Sequence, residues 1–294
     1  MELDMSNPPL IAASELQRTL PKSGQLLKWI GNKHRSAESI CSHIPRNFDR
    51  YFEPFLGGGA VLATLAPHRA VASDTLDPLI SLWKKVQSDP ESVLIHYTRL
   101  WNLFEIDRKR TYSQTLERFN STLDPLDLMF LCRTCYGGVI RFTKIGKMST
   151  PLGPHNPISP AALERRLEDW SARIRGTEFA SSDFTEIMSH ARSGDIIYCD
   201  PPYSFAQSII YGSQSFELGR LWRAVHEAKN RGARILVSID GTKNSGQCQL
   251  DLDIPKGLFA RELFIPKGGS MLKRLQRNTV NEKWIVEDRL LLTW

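Results

Sequence analysis

Gly194-Asp195-Ile196-Ile197-Tyr198-Cys199-Asp200-Pro201-Pro202-Tyr203 is the stretch on which the reading of this 294-residue chain turns. Ile196 to Cys199 is a short, apolar, β-favouring run of the kind that makes a buried strand. It stops at an acid followed by two prolines, which cannot continue a sheet ladder. An acid, two prolines and an aromatic ring therefore stand at the carboxyl end of a strand, where open α/β sheets bind their ligands. The Asp200 carboxylate can accept a hydrogen bond from an amino group, and the Pro-Pro turn fixes the Pro201 carbonyl nearby as a second acceptor. The Tyr203 ring can stack on a flat heterocycle. Together these parts suit a planar exocyclic amine held with its nitrogen aimed at an electrophile. A strand ending in a capped turn would use the same letters, so a second segment is needed to decide.

Arg50-Tyr51-Phe52-Glu53-Pro54-Phe55-Leu56-Gly57-Gly58-Gly59-Ala60-Val61-Leu62 supplies it, reading as strand, glycine turn and helix. The glycines let the backbone approach a ligand closely and present N–H groups at a helix start. The next apolar run, Ala70 to Ser73, ends in Asp74. An acid at the tip of the second strand is where doubly wound folds grip ribose hydroxyls. The loop contains no G-K-[ST] and departs from G-x-G-x-x-G, which disfavours phosphate binding.

With both segments in hand the chain resembles the Dam-like, D12-class DNA adenine-N6 methyltransferases. Leu27-Lys28-Trp29-Ile30-Gly31-Asn32-Lys33 is similar to their opening L-K-W-x-G-G-K, with Asn32 replacing the second glycine. Glu53 to Gly59 is similar to their E-P-F-x-G-x-G, and Ser73 to Ile80 to their D-x-N-x-x-L-I, with Thr75 and Leu76 departing. Tyr136-Gly137-Gly138-Val139-Ile140-Arg141-Phe142, running on to Pro151-Leu152-Gly153, resembles Y-N-G-x-x-R-[YF] and its continuation. The blocks keep the family's order.

The resemblance implies an α/β fold: a Rossmann-like, S-adenosylmethionine-dependent methyltransferase core with an inserted, mostly helical target-recognition domain. The expected division is a flexible extension over residues 1–20, a discontinuous catalytic domain over 21–75 and 176–294, and a DNA-binding domain over 76–175. It also implies site roles. Asp200, Pro201, Pro202 and Tyr203 would hold the target amine and stack on the base. For the cofactor, S-adenosylmethionine, Trp29 is a wall and Lys33 a carboxylate partner. Glu53, Phe55, Gly57 and Gly59 form the loop, Asp74 meets the ribose, Asp183 and Phe184 the adenine, and Asp200 borders the reacting end. On double-stranded DNA, Tyr136 would wedge into the space left by a flipped base and Arg141 read a guanine, with Lys28, Arg133, Lys144 and Lys147 completing the basic surface. Gly137, Met148 and Ser149 stand where the GATC-reading pattern has other residues, which leaves the target sequence open.

The rest of the chain agrees with a soluble globular enzyme. Apolar residues make up 41% and charged residues 24%, an ordinary globular balance, and the formal net charge of +6 permits a polyanionic partner. No apolar run approaches a membrane span, and the first residues lack a signal-peptide pattern. Five scattered cysteines (41, 132, 135, 199 and 248) read as reduced thiols in a cytoplasmic, DNA-associated protein of bacterial, archaeal or phage origin. Cys132-Arg133-Thr134-Cys135 lacks the further ligands that zinc needs, so no metal is expected.

Between Asp74 and Asp200 lies far more chain than one sheet crossover requires. Residues 76–103 show helical spacing with a break at Pro90, a further helix covers Ser113–Arg118, and Leu126–Leu131 is an apolar run. From Leu128 to Leu163 there is no Asp or Glu, while Arg133, Arg141, Lys144 and Lys147 are interleaved with Tyr136 and Phe142, a pattern suited to nucleic acid. Strands are expected at Thr177–Ala180 and Arg234–Asp240, with a helix over Leu218–Arg231 between them. Glu262–Ile265 and Lys283–Leu292 are expected to close the sheet as an antiparallel pair. A second basic stretch, 267–277, has no assigned role. A monomer is expected, with a cognate restriction endonuclease as a functional partner. The rival readings are a DNA-binding protein without catalysis and an amino methyltransferase acting on RNA or on cytosine N4.

Overall fold

The computed structural model describes residues 18–143, 145–202, 216–240, 242–243, 248–249, 253–266 and 287–294. Tyr203, Lys144 and the basic stretch 267–277 lie outside these residues. In chain order the strands are β1 (Tyr51–Glu53), β2 (Ala70–Asp74), β3 (Thr177–Ser181), β4 (Ile196–Cys199), β5 (Arg234–Asp240), β6 (Thr242–Lys243), β7 (Cys248–Gln249), β8 (Arg261–Pro266) and β9 (Glu287–Leu292). Seven form one sheet in the order β3-β2-β1-β4-β5-β9-β8, and β6 pairs only with β7. The first five in that order are parallel, and β9 runs antiparallel between β5 and β8. The expected closing pair is thus present, with β9 inserted beside β5.

Both faces of the sheet are buried, and the period of two sorts its side chains. Tyr51, Ile196, Tyr198, Leu236 and Leu290 enter one apolar cluster, while Phe52, Ile197, Cys199, Val237 and Leu291 enter the other. Helices α1 (Ala37–Ser42), α2 (Ala60–Leu65) and α3 (Asp77–Ser88) contribute to the first. Helices α8 (Phe184–Ser189) and α9 (Leu218–Asn230) cover the second, α9 through Leu221, Trp222, Val225 and Ala228 at helical spacing. At the amino ends of β1 and β4, the Arg50 guanidinium donates to the buried Asp195 carboxylate at 3.2 and 2.7 Å, tying the two central strands together.

Between β2 and β3 the chain makes α3, α4 (Pro90–Ile106), α5 (Arg108–Thr122), α6 (Pro125–Thr134) and α7 (Pro160–Arg173). The last four start at a capping side chain. Asp89, Asp107, Asp124 and Ser159 each accept a backbone N–H of the first turn, and proline follows immediately in three of the four. The apolar run at Leu126 proves to be helical because α6 is surrounded. Asp127 to Thr134 are all buried, and Phe130 meets Tyr97 and Phe104, each at 5.6 Å between ring centres. A short run buried on all sides has no amphipathic period to betray it.

Packing bears on two boundaries of the expected division. Helix α3, placed by sequence in the insertion, packs on β2 and β3, with Trp83 stacked 5.6 Å from Trp170 and 6.4 Å from Phe179. It also packs on α6 and α7, the latter through Trp170, so the sheet and the inserted helices share it. The expected flexible extension is also too long at its end. The Arg18 guanidinium donates to the carbonyls of Cys41, Ile44 and Pro45, and Leu20 N–H to Glu38, so residues 18–20 are docked.

The insertion is locked by one buried acid. Asp127 accepts from Arg118 Nε at 2.7 Å and Nη2 at 2.5 Å, and its Oδ1 lies 2.7 Å from His96 Nε2, joining α4, α5 and α6. Asparagine in this place keeps one acceptor oxygen but removes the charge and turns an amide donor toward Arg118 or His96. Asp127→Asn is expected to lower stability by about 2–3 kcal/mol in thermal or urea unfolding, below the full cost of an orphaned buried charge because Arg118 reaches solvent.

Candidate active site

The strand order reverses between β1 and β4, and the registers Tyr51 with Ile196 and Phe52 with Ile197 bring their carboxyl ends together. The crevice this creates holds the candidate site. One cavity is lined by Trp29, Lys33, Glu53, Phe55, Gly57, Gly59, Asp74, Asp183, Phe184 and Asp200, together with Pro201 and Pro202. Every residue expected to meet the cofactor thus faces the same space, although they span most of the chain.

The glycine loop is shaped by close neighbours. Gly57 and Gly59 adopt positive φ angles of 46° and 62°. A side chain at Gly57 would start 3.2 Å from the Trp29 indole, and one at Gly59 3.0 Å from the Trp83 ring. At Gly58 a Cβ would fall 2.5 Å from the Asn32 amide, so the departure at Asn32 is accommodated against a residue without a side chain. Trp83 Nε1 donates to the Gly57 carbonyl at 3.1 Å. Asp74 accepts from the N–H groups of Gly57 at 3.0 Å and Leu76 at 3.2 Å, fixing its carboxylate at the tip of β2. A carboxylate has four lone-pair sites, so these two bonds are compatible with ribose hydroxyls as further donors.

At the far side of the cavity Phe55 stacks on Phe184 at 5.1 Å, and Phe216 lies 5.9 Å from each ring. Arg220 sits 5.1 Å over the Phe184 ring and pairs with Asp183 at 2.8 Å. Burial alone would raise the Asp183 carboxyl, but hydrogen bonds from Thr185 and the charge of Arg220 hold it below the ordinary carboxylate value. Phe216 and Arg220 were missed in the sequence because neither stands in a recognisable block. An aromatic wall, a carboxylate and a backbone cradle free of side chains fit the adenine, ribose and methionine parts of S-adenosylmethionine.

The end of β4 carries the densest polar network. Lys33 Nζ donates to Asp200 Oδ1 at 2.6 Å, and Ser238 Oγ donates to the same oxygen at 3.0 Å. Lys33, expected beside a cofactor carboxylate, is thus engaged with Asp200 while still lining the cavity. The Tyr198 hydroxyl lies 2.9 Å from Ser238 Oγ. Glu53 is buried, accepting from the Tyr51 hydroxyl at 2.7 Å. Burial, reinforced by the nearby Asp200 charge, pushes its carboxyl up to about 8 against hydrogen bonds that favour ionisation. Of two neighbouring carboxylates, one has a lysine partner and the other is held toward its neutral form. Pro201 and Pro202 border the cavity, and Tyr203 lies outside the described residues.

The proposed DNA face lies on a turn and a hairpin. Tyr136 opens a single 3-10 turn, Tyr136–Gly138, and is 46% exposed. Gly137 and Gly138 both take positive φ, and a Cβ at Gly138 would strike Lys28 Cβ at 2.7 Å. Arg141 and Lys147 are exposed on a hairpin bridged between Phe142 and Met148, with Ile145 at its tip 78% exposed. Asn120 on α5 bonds both the Met148 N–H at 2.7 Å and its carbonyl at 2.9 Å, pinning the hairpin as a neighbouring strand would. The Thr150 hydroxyl donates to the Val139 carbonyl at 2.6 Å and accepts from Arg141 N–H at 3.0 Å. Lys28 is half-buried against this turn, and Lys144 lies outside the described residues.

Arg133 requires a correction. Expected among the DNA contacts, it is buried, and its guanidinium donates to the carbonyls of Gln25 and Leu26. Burial pushes it down to about 10. It secures the segment before Lys28 and Trp29 rather than facing a duplex. The cysteines nearby are equally structural: Cys132 and Cys135 are buried free thiols, Cys132 donating to the Met129 carbonyl.

A seven-stranded sheet with one antiparallel strand, and a cavity of this composition at its switch point, define a Rossmann-like, S-adenosylmethionine-dependent methyltransferase. Residues 29–243 match the family model of the D12 class N6 adenine-specific DNA methyltransferases, and the chain belongs to that family. It is 28% identical over 238 residues to the DNA adenine methylase of Vibrio cholerae serotype O1, covering 77% of this chain and 84% of that protein. The Type II methyltransferase M.MjaIII of Methanocaldococcus jannaschii is 27% identical over 240 residues, covering 72% and 82%. The DNA N-6-adenine-methyltransferase of Escherichia phage P1 is 27% identical over 269 residues, which cover 87% of this chain but 34% of that one. This chain is an adenine-specific DNA methyltransferase. No helix among the described residues is long and apolar enough to cross a membrane.

The neutral bias of Glu53 has a pH consequence. Its carboxyl ionises near the ordinary 4.5 when unfolded and near 8 when folded, so the unfolded chain binds fewer protons between those values. Folding stability is therefore expected to fall as pH rises through that window, by up to about 1.4 kcal/mol per pH unit. Glu53→Gln, which still accepts from Tyr51, is expected to remove this slope when thermal unfolding is followed from pH 5 to pH 8.

Proposed function

We propose that the chain methylates N6 of an adenine flipped out of double-stranded DNA at one short sequence, using S-adenosylmethionine. The observation that carries this reading is the convergence at one switch point of an acid, a Pro-Pro turn and a cavity lined by aromatic rings, a carboxylate and a glycine loop, with an exposed basic hairpin on the inserted segment. Adenine N6 is a poor nucleophile because its lone pair is delocalised into the ring, and a duplex hides it, so the base must leave the stack. The Asp200 carboxylate and the Pro201 carbonyl accept from the two N6 protons, which turns the nitrogen's lone pair away from the acceptors and toward the cofactor cavity. As the nitrogen gains positive charge, the adjacent carboxylate stabilises it. S-Adenosylmethionine, when bound, supplies the electrophilic sulfonium methyl. No covalent nucleophile takes part.

On the DNA side Tyr136 fills the space of the displaced base, Arg141 reads a guanine edge, and Lys28, Lys147 and Lys144 neutralise phosphates. The segment from α4 through the hairpin acts as the target-recognition part, and the enzyme works as a monomer on one strand at a time. A modification role beside a cognate restriction endonuclease is supported by the likeness to a protein named as a Type II methyltransferase.

Sequencing of DNA from cells without adenine methylases of their own tests the reaction. Expression of the chain should place N6-methyladenine at one motif, and Asp200→Ala should remove it while DNA binding stays within a few-fold. Near-normal turnover by that variant would show the amine is held elsewhere. For recognition, Arg141→Ala is expected to relax preference at one base pair by about 1–3 kcal/mol in competition binding. A uniform loss on all sequences would make Arg141 a phosphate contact instead.

A further inference from the structure

Ser238 is the one polar side chain in the apolar core of β5, Arg234-Ile235-Leu236-Val237-Ser238-Ile239-Asp240. It is fully buried, where a hydroxyl is costly unless hydrogen-bonded. The parallel register of β4 with β5 runs from Ile196 with Arg234 to Cys199 with Val237. One step further sets Asp200 opposite Ser238, and the 3.0 Å bond from Ser238 Oγ to Asp200 Oδ1 is the result.

A hydroxyl carries a single proton. Ser238 directs its proton to Asp200, so in the 2.9 Å contact with Tyr198 it must be the acceptor and Tyr198 the donor. The chain of donation runs Tyr198 O–H to Ser238 O–H to the Asp200 carboxylate, with Lys33 reaching the same oxygen at 2.6 Å from the other side. Tyr198 and Ser238 are both buried. In such surroundings each bond polarises the next, and the second hydroxyl strengthens the first as a donor.

We infer that Ser238 is a positioning residue for the reaction and that Tyr198 acts through it. Together they fix the rotation of the Asp200 carboxylate and favour its ionised form, so that it meets the target amine in one orientation. Lys33, whose buried ammonium also donates to the Gly31 carbonyl at 3.4 Å, meets the carboxylate as a point charge and sets its rotation less sharply than a hydroxyl held on a strand. This inference rests on the reading of Asp200 as acceptor of the N6 amine. A hydrogen bond to a charged group that orients a reacting side chain accounts for roughly 10- to 100-fold in rate.

The test is single-turnover methyl transfer to a duplex containing the motif, with two controls. Cofactor binding is followed by calorimetry, and base flipping by the fluorescence of 2-aminopurine placed at the target, a base that lacks the 6-amino group. Ser238→Ala is expected to slow transfer roughly 10-fold or more while both controls stay within twofold. Ser238→Thr, which keeps the hydroxyl, should recover most of the rate. Tyr198→Phe should cause a smaller loss and add nothing on top of Ser238→Ala. A wild-type rate for Ser238→Ala overturns the inference, as does an equal loss in Ser238→Thr. Should Ser238→Ala fail to fold, Tyr198→Phe decides alone: unchanged transfer overturns the relay, and slowed transfer with intact flipping supports it. Absence of N6-methyladenine with the wild-type enzyme would instead overturn the reading of Asp200 itself.

Discussion

The reversal of strand order between β1 and β4 is the constraint on which the site depends. Neighbouring parallel strands whose connections leave in opposite directions leave a gap at their carboxyl ends, because no loop crosses it. Here that gap receives Glu53 from one strand and Asp200 from the other. The Arg50–Asp195 pair at the opposite end of the same two strands resists shear between them. A slip of one residue would turn every side chain on a strand to the wrong face and separate the two acids from their partners.

Placing two carboxyl groups in one buried crevice creates an electrostatic problem, and the structure answers it asymmetrically. Asp200 has Lys33 and Ser238 as donors, whereas Glu53 has the Tyr51 hydroxyl, little solvent and a raised proton affinity. Environments that push neighbouring acids apart allow both to be present without full mutual repulsion. The charged acid is the one at the Pro-Pro turn. The more neutral acid lies at the base of the glycine loop, where a second full charge would weaken the first.

The inserted segment follows a different logic, in which rigid support sits behind an exposed edge. Asp127 draws three helices together, Asn120 completes the hydrogen bonds of the hairpin, and Arg133 ties α6 to the chain just ahead of Lys28 and Trp29. That last contact links the inserted segment to the wall of the cavity through a few residues of backbone. Basic residues near one another in sequence thus do opposite jobs. Arg141 is presented to solvent, and Arg133 is consumed in holding the platform.

Much of this was legible in the chain. The β-branched runs at Ile196 and Arg234, the closing pair near Glu262 and Leu290 and the glycine loop all act within a few residues. Their local physics survives in the folded protein. The glycine loop, Asp74 and Asp200 were legible for the same reason, at strand tips and in a tight turn, whereas Trp29, Lys33, Asp183 and Phe184 came only through the family resemblance. The tertiary structure alone decided that Arg133 is buried, that α3 packs on both the sheet and the inserted helices, that Lys33 reaches Asp200, and that Ser238, Phe216 and Arg220 join the site. Each of these depends on which distant segment arrives beside the residue. Burial and pairing are set by that neighbour, which spacing along the chain does not encode.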